Sequence, residues 1–589
     1  MKASALYFAV LMAFTVPAPI LGLAAASAEA KRGRVVILAS TDMMKNACLT
    51  KEGAEHQGNV SFFYNLIDAF ALDDRLLGIK AGAVAKGGKA PAISETTRAL
   101  LGELKDDVYV RYYASAVAPP FVPPLATVRS ETLARLKEMA DLSGGRLKYE
   151  VIAPEEKARE HGLGKLKGYY EALEKGETPA EPEQRQSPDD IRSGRAKAKR
   201  SGAEIAAERR KKAEALAEKG KRSADEEFRR LLLDEFTEGY LADLESLGIY
   251  AVPVEERQSG LTSQFYTAFE VRCRDRMPEV IPVHHQIETL EYVLMRSILK
   301  VTRAAKPTVA FFDGRHPPAP PAPSPGDPGP DSGYSGILSA LGEYFDVEKL
   351  TLRKNDSIGD LRERIRKEKP DGISVLIIAE PQDLEPRQVH EISRAVSEGI
   401  PTIFLVSRYS ADLSPGAYPQ RFPITLLRPG LDDLFLAWGI MLGKDLLASG
   451  QCSSTMVPQK LGGFAFQKPS TMPILLKAGF EEIRRDHPLA IRIPSLVFPA
   501  AAGLAIDRKK AKEAGLEVTE LVNSGKKSYT VQAAPSGQES KLPAVLDLRD
   551  LHDPSARKDG FIDPQPLAVL IEGAFPFNYR DRDVPAWKE

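Results

Sequence analysis

Between Thr308 and Ser407 the chain alternates short, continuous apolar runs with amphipathic stretches, and this alternation constrains its fold more than any other feature. The runs are Thr308-Val-Ala-Phe-Phe312, Val347 to Leu352, Ser374-Val-Leu-Ile-Ile-Ala379 and Thr402-Ile-Phe-Leu-Val-Ser407. Each has the length of a strand and almost no polar face, so each must be covered on both sides. Helical spacing over Ile337 to Tyr344, Ile358 to Lys367 and Arg387 to Ser397 supplies the covering layers. Strand and helix in strict alternation predict an α/β class with a mostly parallel sheet. The remainder, Leu431 to about Leu570, reads as mixed α/β, with a last strand at Pro566-Leu-Ala-Val-Leu-Ile-Glu572.

Upstream the material changes several times, and a chain of 589 residues has room for three or four domains. Residues 1–30 hold Lys2 and then a charge-free apolar stretch ending in small residues. That is the order of a signal peptide, and it is long enough to serve instead as an N-terminal membrane anchor. Export, by either route, is the expectation, and no later stretch is long and apolar enough to span a bilayer. Residues 31–85 form a strand-helix segment, with Val35-Val-Ile-Leu-Ala39 as strand and Val60 to Leu72 as helix; a Gly/Ala/Lys-rich linker follows from Gly82 to Ala92. Residues 86–154 read as a smaller βαβ domain: strand Val108 to Tyr113, helix Val128 to Leu142, turn Ser143-Gly-Gly145, strand Leu147 to Ile152. A long charged insertion, 155–246, is so poor in apolar residues that most of it is expected to bury no face, either as a solvated helix or partly disordered. Only its end has a stripe: Phe228, Leu232, Phe236, Tyr240, Leu244 and Leu247. Residues 247–305 complete the βαβ-containing domain with strands at Ile249 to Val254, Phe265 to Cys273 and Val280 to Val283 and a helix carrying Ile287, Leu290, Leu294, Ile298 and Val301. The sheet domain occupies 306–535, interrupted by a proline-rich loop over 316–333, and ends in 536–589.

Composition excludes more chemistry than it suggests. With 80 basic and 81 acidic residues the chain has no global charge to draw it to nucleic acid. Cys48, Cys273 and Cys452 include no C-x-x-C pair, so neither a disulfide framework nor a cysteine-rich zinc site follows. Arg272 and Arg274 flank Cys273, but on an alternating strand they point away from it. No G-x-x-x-x-G-K-[ST] cradle for phosphates exists, nor a G-x-S-x-G nucleophile elbow, nor H-E-x-x-H; the adjacent His284 and His285 do not share a helix face. Asp432-Asp433 reads as the first turn of a helix. The one site-like cluster is Asp313, Gly314, Arg315 and His316, because ligands of open α/β sheets bind beyond the carboxyl ends of the strands. Asp42, after the first strand, stands at an equivalent end.

Several stretches together resemble the GldG-type auxiliary component of ABC transport systems, known from gliding motility. They are Thr289-Leu-Glu-Tyr-Val-Leu-Met-Arg-Ser-Ile-Leu-Lys-Val-Thr302 with Glu279-Val-Ile-Pro282 and Lys306 to Phe311, Val108 to Tyr113 with Ser143 to Pro154, Gly399 to Val406, Gly430 to Leu434 with Trp438-Gly-Ile440, and Pro566 to Gly573. The resemblance implies a flavodoxin- or amidotransferase-like sheet plus the smaller domain. It also implies a non-enzymatic, periplasmic or otherwise extracytoplasmic subunit without cofactor, metal or catalytic residues, partnered by an ABC-2-type permease and a separate ATPase. Family members often carry Gly-His-Gly-Glu where this chain has Asp313-Gly-Arg-His-Pro-Pro318. Arg34 to Asp42 with Asn59 to Asp74 resembles the segment that usually follows the region ending here near Pro585, so the order looks permuted, and Val35 to Ala39 is expected to add a strand to the C-terminal sheet. The competing readings are a hydrolase or amidotransferase with its site at the strand ends near Asp313 and Asp42, and a free-standing ligand-binding or scaffold protein.

Overall fold

The computed structural model describes residues 32–587 except 46–53, 83–92, 117–122, 178–201, 219–222, 256–261, 316–332, 368, 370–371, 412–420, 462–463, 532–543, 548–559 and 580–581. The N-terminal apolar run, Cys48, nearly all of the Gly/Ala/Lys linker, His316 and almost all of the proline-rich loop lie outside the described residues.

Seven strands make the central sheet: β1 (Gly33–Leu38), β2 (Thr308–Asp313), β3 (Asp346–Leu350), β4 (Ile373–Ala379), β5 (Thr402–Leu405), β6 (Leu516–Asn523) and β7 (Pro566–Gly573), in the order β6-β7-β1-β5-β4-β2-β3. Pairings β1 with β5, β5 with β4, β4 with β2 and β2 with β3 are parallel, while β7 runs antiparallel to both β1 and β6. The strand over Val35 thus joins the C-terminal sheet in its interior, as the resemblance leads one to expect: Val35 pairs with Thr402 on one side and Ile571 on the other.

Because side chains alternate along a strand, the sheet feeds two cores. Val36, Leu38, Val309, Phe311, Val375 and Ile377 face one of them, together with Phe62, Phe63 and Leu66 of the helix Ala54–Ile67 and Leu294 and Ile298 of the helix Ile287–Thr302. Val35, Ile37, Ala310, Leu376 and Ile378 face the other, against Leu361 and Ile365 of Ile358–Arg366 and Ile392 and Val396 of Pro386–Ser397. Double-sided burial accounts for the unbroken apolar runs.

A second, four-stranded sheet pairs Val108–Ala114 in parallel with Leu147–Ile152 and antiparallel with Thr267–Cys273, and its Val110, Tyr112 and Phe269 share one hydrophobic cluster with Val36 and Phe311 of the central sheet. Three expectations need correction. The strand expected over Phe265 to Cys273 is split at Tyr266, whose N–H leaves the ladder for the Ser115 hydroxyl at 2.9 Å; Thr262–Phe265 forms a separate hairpin with Val252–Glu255. The expected stripe at the end of the charged insertion is buried at Phe228, Leu232 and Phe236 of the helix Ala224–Ser246, but the earlier part buries a face too: helices Pro154–Glu174 and Gly202–Ala217 pack Tyr169 and Ala213 against that stripe. About one apolar residue per turn suffices because Gly162 lets the helices close in; a Cβ there would sit 2.6 Å from Thr237 Oγ1. Leu247 leaves the stripe and is 54% exposed, since the helix ends just before it. Third, the stretch after Leu431 is mainly β: among the described residues its regular elements are strands apart from helices Asp432–Ala437 and Arg508–Glu513 and a short 3-10 turn, the longest being the hairpin Cys452–Leu461 with Phe464–Ala478. Two β-rich runs separated by Gly462-Gly463 carry that signal in the sequence.

Candidate functional site at the carboxyl edge of the sheet

All five parallel strands point their carboxyl ends to one edge, and a buried network of charges lies there. After β1 the chain makes one 3-10 turn, Asp42–Met44, which places Asp42 and Lys45 side by side. Asp42, 1% exposed, accepts hydrogen bonds from the Ala411 N–H at 2.8 Å, Ser410 Oγ at 2.9 Å and Thr41 Oγ1 at 3.1 Å. Lys45 Nζ lies 2.7 Å from Asp42 Oδ1 and 2.6 Å from Glu380 Oε2, and donates to Ser410 Oγ at 3.0 Å. An ammonium has three protons, and each here has a protein acceptor. Glu380 follows β4 directly and is held at a φ of +45° although a proline follows it, a conformation that only a surrounding network sustains. Its N–H is tied to the Leu405 carbonyl at 3.0 Å.

Tyr334, fully buried, crosses beneath this group and donates to the Thr41 carbonyl at 2.9 Å, with Glu380 Oε2 3.5 Å away. Arg315 stacks on the Tyr334 ring with 4.9 Å to the centroid and clamps Asp313 through Nε at 2.9 Å and Nη2 at 2.6 Å. Gly314 is required by proximity: its N–H donates to the Ala379 carbonyl, and a Cβ would stand 2.5 Å from Pro381 Cα and 2.6 Å from the Glu380 carbonyl oxygen. Of the residues singled out from sequence, Asp313, Gly314, Arg315 and Asp42 therefore gather at one edge, joined through Tyr334 and Glu380. Lys45, Glu380, Tyr334 and Ser410 were not legible as members. The one local signal was Ala379-Glu-Pro381, a carboxylate placed where an apolar strand stops.

Burial by itself would lower the Lys45 pKa, but Asp42 and then Glu380 outweigh it and raise it above the ordinary lysine value. Glu380 is pushed up by burial and by Asp42, against the pull of Lys45. A lysine acting as a general base toward Ser410 would have to be neutral. This one is held as a cation, and the single Ser410 proton is committed to Asp42. The arrangement ties three strand ends together and leaves no activated nucleophile among these groups.

A second polar group links the helix Ile287–Thr302 to the first segment. The helix Ala54–Ile67 runs into a π-helical turn, Asp68–Leu72, and Asp68 accepts from Tyr292 at 2.8 Å and from Arg296 Nε at 2.7 Å. Lys80 and Lys300 flank it, each lowered to about 8, Lys80 by burial and Lys300 by burial and then Arg296. The other sequence candidates are structural in their settings. Cys273 is buried, with its thiol pushed up by burial, and its neighbours Arg272 and Arg274 turn to Glu270 and Asp106. His284 Nε2 lies 2.8 Å from the Gln286 carbonyl oxygen. Asp432 and Asp433 occupy the first turn of the helix Asp432–Ala437. Among the described residues no group of histidine, cysteine or carboxylate side chains is arranged to hold a metal ion, and no helix is long and apolar enough to cross a membrane.

Comparison with known proteins places part of the chain. Residues 306–589 match the model of a family described as an ABC-type uncharacterized transport system, and residues 91–187 match a domain of unknown function (DUF7088). The first match covers β2 to β7 and the Asp313 and Glu380 side of the network, and it supports an auxiliary protein of an ABC transport system. Asp42, Lys45 and the helix over Thr289 to Thr302 lie in neither matched stretch. No curated protein matches the chain. No solved structure does so either.

Proposed function

We propose that this chain is a non-catalytic accessory subunit of a GldG-like ABC transport system, acting by binding a permease that works with a separate ATPase. The match over residues 306–589 supports the transport setting. The observation that carries the non-catalytic part is the Lys45 ammonium, whose three protons are all committed to Asp42, Glu380 and Ser410 at the edge where an α/β enzyme of this kind would keep its reactive groups free. A locked edge suits a rigid body that others dock against. The apolar run before residue 31 supports placement on the extracytoplasmic side of the membrane, by signal peptide or anchor.

The test is affinity purification of the tagged full chain from detergent-solubilised native membranes, with every co-purifying protein identified. A polytopic permease together with a P-loop ATPase is the expected outcome. A lone monomer recovered from the soluble fraction would overturn the proposal.

A further inference from the structure

The central sheet has two edges, β3 and β6, and β6 has a full strand partner, β7, on one side only among the described residues. On its other side the chain supplies a single bridge, Ile483 opposite Val522, with the Arg484 N–H donating to the Leu521 carbonyl at 2.9 Å and the Asn523 N–H to the Glu482 carbonyl at 2.9 Å. This short pairing is antiparallel, and it stops at Arg484, where the chain turns back through a hydrogen bond from the His487 N–H to the Arg484 carbonyl. Beyond it the edge is met by a side chain. Arg508 reaches the Val518 carbonyl with Nη1 at 3.4 Å while its guanidinium pairs with Glu520. A groove of about 360 Å³ opens at this place, lined by Glu481, Glu482, Arg484, Arg508, Glu520 and Asn523 among others.

Three features describe what would fit. A sheet edge guarded by one exposed arginine is an edge blunted against pairing, and removal of the guard leaves a strand template. Three carboxylates, Glu481, Glu482 and Glu520, line the groove against two guanidinium groups, Arg484 and Arg508, and displacing Arg508 from Glu520 leaves that carboxylate to a cation on the incoming strand. The Asn523 side-chain oxygen is buried at the margin of the groove with no hydrogen-bond partner among the described residues. Next to Glu481, Phe480 is 74% exposed with Arg485 stacked on it at 4.1 Å, an aromatic surface of the sort that anchors a partner.

We propose that this edge accepts an extended segment of a partner protein as an added strand, one with lysine or arginine at alternate positions, which displaces Arg508 from Val518 and continues the ladder begun at Ile483. Main-chain hydrogen bonds supply the affinity in such strand addition, and alternate side chains supply the selectivity. The proposal stands apart from the transport reading, since it concerns the chemistry of the segment and not the identity of its owner.

The test uses the full chain and three fluorescent octapeptides: alternating Val-Lys, alternating Val-Glu, and Val-Lys with alternate backbone nitrogens methylated. Binding is read by anisotropy. The plain Val-Lys peptide binds, the Val-Glu peptide does not, and methylation abolishes binding because it removes ladder donors. Arg508→Ala tightens binding of the Val-Lys peptide by about twofold to fivefold, as loss of one exposed ion pair allows, while Glu481→Lys weakens it by a similar factor. Both positions are exposed, so both variants fold. Binding that survives methylation, or that ignores both substitutions, or no binding by the Val-Lys peptide, overturns the proposal.

Discussion

Replacing Lys45 with methionine tests the reading of the carboxyl edge. The side chain keeps its length but loses its charge, leaving Asp42 at 1% and Glu380 at 4% exposure facing each other without a counter-ion. Removing one partner of a buried ion pair costs about 3–5 kcal/mol, and Lys45, whose side chain is 15% exposed, belongs at the lower end. The expected loss is about 3 kcal/mol at pH 7.5, measured by urea unfolding. The pH dependence has a definite sign. Glu380 already has a raised pKa in the folded protein, so the folded state holds its proton over a range where the unfolded state has released it, and stability falls as pH rises through that range. Without Lys45 the Glu380 pKa climbs further and the range widens upward. The defect is therefore smaller at pH 5 than at pH 7.5. Adding Glu380→Gln to the variant removes the uncompensated charge and restores part of the loss at pH 7.5. A loss below about 1 kcal/mol that does not vary between pH 5 and 7.5 would refute the buried ion lock.

Other perturbations probe the rest of the framework. Gly314→Ala drives a methyl group against Pro381 and the Glu380 carbonyl, and overpacking of this kind costs about 1–3 kcal/mol in the same urea experiment. Tyr334→Phe removes the hydrogen bond to the Thr41 carbonyl and is expected to lower stability by about 1 kcal/mol in thermal unfolding. Burial lowers Lys80 to about 8 when folded against 10.5 for the ordinary group, so the unfolded state binds the extra proton between these values and stability rises with pH across that window; Lys80→Met reduces this rise in unfolding curves taken from pH 7.5 to 10, Lys300 supplying the remainder. Gly162→Leu forces apart the helices Pro154–Glu174 and Ala224–Ser246, seen as faster amide hydrogen exchange there and not in the central sheet.

The central sheet was legible because burial on both faces writes itself into sequence as unbroken apolar runs; Val35 to Ala39 is such a run, but its place in this sheet was legible only through the resemblance of Arg34 to Asp42 and Asn59 to Asp74 to a segment that usually follows the C-terminal region. Asp313 and Asp42 were legible by position, as polar residues just where apolar strands end. Lys45 and Glu380 were not, because their roles depend on a meeting that the chain makes over long separations: Lys45 and Ser410 are 365 residues apart. Ser410 belongs to a three-residue strand, Tyr409–Ala411, too short to show periodicity. The packing of the helices Pro154–Glu174 and Gly202–Ala217 against the Phe228 stripe was not legible for a different reason. A helix that needs one contact per turn, with a glycine at the crossing, shows almost no hydrophobic stripe.

The measurement closest to the central claim is the affinity of the purified full chain for a purified permease–ATPase pair in detergent micelles, followed by fluorescence of the labelled chain. An accessory subunit that acts by binding gives saturable association with a dissociation constant of about 1 μM or tighter, and ATP hydrolysis that resides entirely in the ATPase. No association up to about 100 μM, with the chain alone turning over a substrate that Lys45→Met abolishes, would contradict the account.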